Sequence, residues 1–318
     1  MVYTSIPTVD LSCFSFKEGH EEEKQSAKDI ISQACTEYGF FQIINHGIPL
    51  NLLNRALEIF TNFFTTPLEE KLKYRPDDRS HLPLPAGYDR PPEQSANKNE
   101  YFTIFNPELS TNLYPDDQPE FKVVTEEMFS YFLKTGLLME GIVNDCLGLP
   151  SNLLHEYNND RSWDSLVALR YLPATDIGNT GLGAHQDANV ITFLFQDQVG
   201  GLEVLKDGAW IPIIPTEGGL IVNIGDVVQV LSNNKFRSAI HRVVRKEGKC
   251  RHSYGFFYTL QGDKWVEPLP NLTRDVGVAE QYKGFFYKDY QQLRIKNKTK
   301  LFNRPEDVIH ITHYAIPS

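Results

Sequence analysis

The chain has 318 residues, of which 41% are hydrophobic and 12% aromatic, a globular composition that excludes a disordered chain or a coiled-coil array. Its formal net charge of −10 repels phosphate backbones and anionic lipid, which argues against nucleic-acid and membrane-surface roles. Four scattered cysteines, Cys13, Cys35, Cys146 and Cys250, form no CxxC pair, so neither a disulfide scaffold nor a thiolate zinc site is expected, and a reducing compartment suits them.

In chain order, Ala27, Ile30, Ile31, Ala34, Cys35 and Tyr38 recur at helical spacing, with Gly39 as a stop. FFQIINHGI then reads as a strand entering a turn, and Pro49 opens a helix to about Phe64. Residues 76–98, rich in Pro, Asp, Arg and Ser, read as a long loop. A helix is predicted from about Pro119 to Leu147. From about Ser165 short β-prone runs follow one another: SLVALRYL, VITFLFQ, GLEVL, WIPIIP, GLIVNI, VVQVL, HRVV and RHSYGFFY. Turn residues punctuate them at the spacing of an antiparallel sandwich or jelly roll. From about Asn271 to Arg294 a helix is predicted, with Tyr282, Phe285, Phe286 and Tyr290 near one face. The fold class is therefore α+β: a jelly-roll (double-stranded β-helix) core with N-terminal and C-terminal helices packed around it. The regions expected are 1–160 as a mixed scaffold, 161–270 as the core and 271–318 as a C-terminal helix and tail, together forming one unit.

The strongest chemical feature is His185-Gln186-Asp187 followed by His241, Arg251 and Ser253. Residues two apart on a strand share a face, so His185 and Asp187 are expected to aim one nitrogen and one oxygen into the same cavity. A jelly roll brings a later His241 opposite them. Two histidines and one carboxylate on one face of an octahedral ion leave three open positions, the arrangement of non-haem Fe(II) oxygenases. An isolated HxD is weak, but the combination with a spaced His and an RxS is specific. HRVVRKEGKCRHSYGF reads as a hairpin turning at Glu247-Gly248-Lys249, which would set Arg251 on the strand next to that of His241. Arg251 and Ser253 share a face while His252 points away. A guanidinium fork with a neighbouring hydroxyl suits a carboxylate, as in a bidentate 2-oxo acid held at its far end.

Other residues invite plainer readings. His46 in Asn45-His46-Gly47 reads as structural, and His310 and His313 as ordinary tail residues, with no carboxylate patterned beside them. The stretch Tyr101 to Phe105 suits either a pocket wall or core packing, with Phe102 and Phe105 as candidate pocket residues. Tyr282 and Phe286 are candidate pocket or lid residues, although ordinary helix docking is the favoured explanation. Cys250 reads as a small buried residue rather than a nucleophile.

With these residues stated, the chain resembles the plant-type 2-oxoglutarate- and Fe(II)-dependent dioxygenases of the isopenicillin-N-synthase-like superfamily, which include flavonoid, gibberellin and alkaloid oxidases. The resemblance runs through IPTVDLS at Ile6–Ser12, YGFFQIINHGIP at Tyr38–Pro49, FFTTPLEEK at Phe63–Lys71 and GGLEV at Gly200–Val204. It continues through LIVNIGDVVQVLSN at Leu220–Asn233, SAIHRVV at Ser238–Val244 and RHSYGFF at Arg251–Phe257. It implies that His185, Asp187 and His241 bind Fe(II), that Arg251 and Ser253 bind the distal carboxylate of 2-oxoglutarate, and that Tyr171 contacts the co-substrate. It also implies O₂ as oxidant, ascorbate as reductant, succinate and CO₂ as products, and hydroxylation or desaturation of a small organic molecule such as a plant hormone or specialised metabolite. The chain departs from the pattern in two places: Leu172 replaces the first proline after that Tyr, and Leu169 stands where many members carry Asn. A one-residue shift would instead set Leu172 at the Tyr position and Arg170 at the Asn. A 2-oxoglutarate-independent Fe(II) oxidase and a non-catalytic binding protein on the same scaffold remain alternatives.

The N-terminus carries no secretory pattern, the last residues match no sorting signal, and the apolar stretches are broken by Lys134, Glu140, Asp145 and Asp226. A cytoplasmic monomer acting on a small molecule is the expectation.

Overall fold

The structure is a computed structural model that describes residues 5–15, 19–76, 86–176, 178–299 and 308–317. The first strand, β1 (Thr8–Asp10), precedes helix α1 (Glu21–Glu37), which stops where Gly39 takes a left-handed φ of 66° and bonds to the Ala34 carbonyl. A Cβ at Gly39 would lie 2.3 Å from the Arg237 carbonyl oxygen, so both conformation and space require glycine. Strand β2 (Phe40–Ile44) leads through Pro49 into α2 (Leu50–Thr65) and the short α3 (Leu68–Leu72). Then come β3 (Gly87–Asp89), β4 (Asn99–Phe105), the long α4 (Pro119–Leu147) and α5 (Leu153–Tyr157). The core strands are β5 (Ser165–Tyr171), β6 (Thr180–His185), β7 (Ile191–Gln196), β8 (Leu202–Lys206), β9 (Ala209–Pro212) and β10 (Leu220–Ile224). Helix α6 (Asp226–Leu231), β11 (His241–Val244), β12 (Arg251–Tyr258), β13 (Trp265–Val266), β14 (Phe285–Phe286) and α7 (Tyr287–Thr299) complete the chain order.

Two sheets face each other. The larger has the order β1-β2-β10-β7-β12-β5-β4-β3, and the smaller β6-β11-β8-β9. All the pairings in both are antiparallel except β1 with β2. This is the jelly-roll core with helices packed around it. Helices α2 and α4 cover the outer face of the large sheet. There Phe63 and Phe121 meet Phe102, Phe60 meets Phe121, and Phe129 and Phe132 meet Phe256, with ring centroids 4.9 to 5.4 Å apart. The opposite face looks toward the small sheet. The registers give that inner face to Tyr171, Leu169 and Val167 of β5, Arg251 and Ser253 of β12, Thr192, Leu194 and Gln196 of β7, and Asn223 of β10. Tyr101, Leu169, Leu194 and Phe257 lie between the sheets and are only partly buried, so the interior is open around them.

Four expectations are corrected. Within the long loop, Gly87–Asp89 pairs with β4 as a strand, while 77–85 lies outside the described residues. VVQVL is not a strand but most of α6, all of it buried. Its even apolarity, which in a strand signals burial on both faces, here reflects a helix enclosed on every side. The chain from 271 to 294 is not one helix: two 3₁₀ turns at Pro270–Leu272 and Arg274–Val276 end at Gly277 (φ 71°), and Phe285–Phe286 pairs with β13 before α7 begins. The turn at Glu247-Gly248-Lys249 does form, with a Lys246–Lys249 bridge and Gly248 at φ 64°, but it does not join neighbouring strands. β11 lies in the small sheet and β12 in the large one, so this segment turns the corner between them. Arg245 holds that corner, donating to the carbonyls of Pro173 (2.5 Å) and Gly178 (2.6 Å).

Candidate active site

His185 is the last residue of β6 and pairs across the small sheet with His241, the first of β11, so the register itself sets the two imidazoles together. Their ring centroids are 4.2 Å apart, and Phe40 packs edge-on against His241 at 5.1 Å. Asp187 is not on the strand, as the alternation argument expected. It sits just past the end of β6, and the turn swings its carboxylate back between the histidines. Asp187 Oδ1 lies 3.6 Å from His185 Nε2 and 3.7 Å from His241 Nε2. One ligand atom from each of the three lies within 4.8 Å of the others.

The hydrogen bonds decide which atoms are free for a metal. His185 Nδ1 is 2.8 Å from the Gly183 carbonyl and His241 Nδ1 is 3.1 Å from the Ala239 carbonyl. A carbonyl only accepts, so each Nδ1 carries the proton and each Nε2 presents a lone pair to the shared centre. On the carboxylate, Oδ2 accepts from Thr192 Oγ1 at 2.7 Å and Asn223 Nδ2 at 2.9 Å, which leaves Oδ1 for the centre. Burial alone would raise the Asp187 pKa, but without a metal the positive charge of the two imidazoles when protonated, together with these two donors, outweighs it and holds the carboxyl well below the usual carboxylate range. Two neutral imidazoles and one carboxylate suit Fe(II), with positions left over for other ligands. At ~2.1 Å metal–ligand bonds, cis ligand atoms lie ~3 Å apart, so the 3.6 and 3.7 Å separations of Asp187 Oδ1 from the two Nε2 atoms need shorten by less than about an ångström.

Arg251, at 1% exposure, faces the same interior from the large sheet. Its Nη1 donates to Ser253 Oγ at 3.0 Å and its Nη2 to Gln196 Oε1 at 2.8 Å, and the guanidinium lies 4.9 Å from the centre of the Tyr171 ring. Among the described residues no carboxylate pairs with it, and Arg251 Nε and Gln196 Nε2 have no hydrogen-bond partner. A buried cation so placed calls for an anion from outside the chain. Tyr171 is directly opposite Arg251 in the β5–β12 register, and burial raises its pKa. The residues of the shifted alignment lie elsewhere: Leu172 is exposed, and Arg170 turns to the outer face, where its Nη1 meets Glu100 Oε1 at 2.9 Å.

The proposed pocket residues fare differently. Phe102 is fully buried on the outer face of β4 against Phe63 and Phe121, away from the interior, and Tyr101 and Thr103 are the β4 residues that face inward. Phe105 shares that inner side but is fully buried. Tyr282 packs against α6, its hydroxyl accepting from Gln229 Nε2 at 2.8 Å, and Phe286 lies outside, half exposed against Trp265. Neither Tyr282 nor Phe286 is brought to the triad. His46 is a turn residue, bonded to the Gly218 carbonyl. Thr192, Gln196 and Asn223 were missed by sequence reasoning. Their signal was present as single polar residues inside the apolar runs VITFLFQ and LIVNI.

The fold and this donor set define a jelly-roll, non-haem metal-dependent oxygenase. The family model for the 2OG-Fe(II) oxygenase superfamily matches residues 163–260, and the one for the N-terminal region of the non-haem dioxygenase in morphine synthesis matches residues 6–122. Flavonol synthase/flavanone 3-hydroxylase of Arabidopsis thaliana is 31% identical over 93% of this chain and 88% of its own length. 1-Aminocyclopropane-1-carboxylate oxidase 5 of Arabidopsis thaliana is 30% identical over 92% and 95%. Among solved structures, JOX2 in complex with 2OG, Fe and JA superposes with a TM-score of 0.81 at 26% identity, covering 98% of this chain and 90% of that one. The chain belongs to the 2OG-Fe(II) oxygenase superfamily and is a 2-oxoglutarate-dependent dioxygenase that uses Fe(II). No helix among the described residues is long and apolar enough to cross a membrane.

Proposed function

We propose that this enzyme hydroxylates or desaturates a small, mainly apolar organic molecule, a plant hormone or specialised metabolite, in the space between the two sheets. His185 and His241 hold Fe(II) through Nε2 and Asp187 through Oδ1; Arg251 and Ser253 grip the distal carboxylate of 2-oxoglutarate, with Tyr171 beside them. The observation that carries the reading is the fully buried Arg251 guanidinium, without a carboxylate partner among the described residues, facing the interior that holds the triad. Bound Fe(II) supplies O₂ activation coupled to oxidative decarboxylation of the 2-oxo acid. For hydroxylation the overall change is R–H + 2-oxoglutarate + O₂ → R–OH + succinate + CO₂. The residues orient the two organic partners and exclude water. Relatives whose names mention flavanone and feruloyl CoA, and the JOX2 structure in complex with JA, support a hormone or specialised-metabolite substrate. Tyr101, Leu169, Leu194 and Phe257 supply a largely apolar lining.

The test pairs metabolite capture from a plant extract, in the presence of Fe(II) and 2-oxoglutarate, with succinate quantification. His185→Ala, Asp187→Ala and His241→Ala should each abolish succinate release while the far-UV spectrum is kept. Near wild-type turnover in any one of them removes that residue from the ligand set. Product formation without stoichiometric succinate would make Arg251 a clamp for the substrate's own carboxylate.

A further inference from the structure

The C-terminal helix reaches the metal loop through one buried side chain. Arg294 on α7, 8% exposed, donates Nη2 to the Gln186 carbonyl at 2.5 Å. Its Nη1 lies 3.3 Å from Asp226 Oδ2 and donates to Tyr290 Oη at 3.1 Å, while Tyr290 in turn donates to Asp226 Oδ2 at 2.6 Å. The Asp226 backbone N–H then donates to the Asp187 carbonyl at 2.8 Å. Gln186 continues the chain of contacts, its Nε2 donating to the Ser238 carbonyl at 2.6 Å, three residues before His241.

These bonds act on the backbone of one residue. The Gln186 carbonyl belongs to the peptide plane before the Asp187 Cα and the Asp187 carbonyl to the plane after it. Arg294 holds the first directly and the second through Asp226, so both backbone torsions of Asp187 are fixed, and with them the direction in which its carboxylate leaves the chain. Asp187 needs such restraint because it lies in a turn rather than on β6. The guanidinium reaches the Gln186 carbonyl and the Asp226 carboxylate from two separate nitrogens, whereas a lysine would have to serve both from the single point of its Nζ.

We propose that Arg294 is a positioning residue for the metal centre, setting the Asp187 carboxylate through Gln186 and Asp226 from a helix that supplies no ligand. The proposal rests on the His185–Asp187–His241 reading above. The test measures anaerobic Fe(II) affinity at saturating 2-oxoglutarate, followed by the visible charge-transfer absorption of the chelate, alongside melting temperature. The variants are Arg294→Gln, Arg294→Lys and Tyr290→Phe. Arg161→Gln is the comparison, because Arg161 is another arginine gripping main-chain carbonyls, those of Asn158 (2.7 Å) and Thr259 (3.2 Å), with no bond to the 185–187 segment.

Fe(II) affinity should fall roughly 10- to 100-fold in both Arg294 variants, the usual scale for groups behind a ligand, and less in Tyr290→Phe. Arg161→Gln should melt lower yet bind Fe(II) within about twofold of wild type, a split that general loosening does not produce. Should Arg294→Gln fail to fold, Arg294→Lys and Tyr290→Phe decide the matter. Wild-type affinity in the folded variants, or equal weakening in Arg161→Gln, overturns the inference. His241→Ala separates the two levels. If it binds Fe(II) like wild type, the metal-site reading fails. If it loses the metal while the Arg294 variants do not, only the positioning role fails.

Discussion

A guanidinium sealed from water and, among the described residues, left without a carboxylate is expensive, and at Arg251 two neutral acceptors, Ser253 Oγ and Gln196 Oε1, offset only part of that cost. The N–H of Nε and a second N–H on each terminal nitrogen remain for an anion. Arg251→Lys keeps the charge and loses the fork, so succinate release at saturating substrate should need about 30- to 150-fold more 2-oxoglutarate, the equivalent of ~2–3 kcal/mol. Ser253→Ala removes one neutral partner and should cost about fivefold, ~1 kcal/mol. If Arg251→Lys leaves the 2-oxoglutarate dependence unchanged and weakens the organic substrate instead, the clamp has been assigned to the wrong molecule. This site was legible because its residues fall into two short patterns, HxD and RxS, plus a spaced His. Thr192 and Asn223, which orient Asp187, carry no pattern: they adjoin it only after β7 and β10 have paired.

At the scale of elements, β4 shows why an aromatic run cannot be assigned to a pocket by composition. Period two sends Glu100, Phe102 and Ile104 to the helix-covered face and Tyr101, Thr103 and Phe105 to the interior, and nothing local says which face is which. Phe102→Ala should destabilise by ~3–5 kcal/mol, as expected for emptying a packed aromatic site, with the apparent affinity for 2-oxoglutarate unchanged in the folded protein. Thr103 is fully buried, with a hydroxyl that has no partner among the described residues, so Thr103→Val should cost no stability and, as the site is closed off like that of Phe105, leave the KM for the organic substrate unchanged. Thermal melts and a substrate titration on the pair check both; a large loss of stability in Thr103→Val would show the hydroxyl to be bonded. The same limit explains α6 and the 271–294 segment. Three valines in VVQVL favour a strand by propensity. Gly225 overrides this by letting the chain pass so close to the Asn189 carbonyl that a Cβ would sit 2.0 Å from it, and the helix starts there. The aromatic spacing of Tyr282, Phe285, Phe286 and Tyr290 mimics a helix face, but only Tyr290 lies on one.

Across the whole molecule, the sequence order of the elements was legible while their neighbours were not. β2 lies beside β10 and β4 beside β5, so the first third of the chain completes the sheet of the core, a non-local pairing without a local signal. One such closure carries a charge. Asp164, just before β5, accepts at Oδ1 from the Thr259 N–H at 2.7 Å just after β12, while its Oδ2 has no hydrogen-bond partner and Arg161 stands 3.7 Å away. Burial pushes its pKa from 3.8 up to about 7, more than Arg161 and the Thr259 bond offset. The sign of the linkage follows. Between about pH 4 and pH 7 the folded state keeps a proton that the unfolded state has lost, so stability falls as pH rises and levels off above the folded pKa. The full penalty is of the order of 4 kcal/mol, with about 60% of it arising between pH 5 and pH 8. Asp164→Asn retains an acceptor for Thr259 and carries no charge, so it should gain ~2 kcal/mol on wild type between pH 5 and pH 8, a shift of several degrees in relative Tm. Both proteins are melted in chelator, which keeps pH-dependent metal binding out of the comparison. Parallel Tm profiles from pH 5 to pH 8 would mean that Asp164 ionises at its ordinary pH inside the fold, with the join between β5 and β12 open to water.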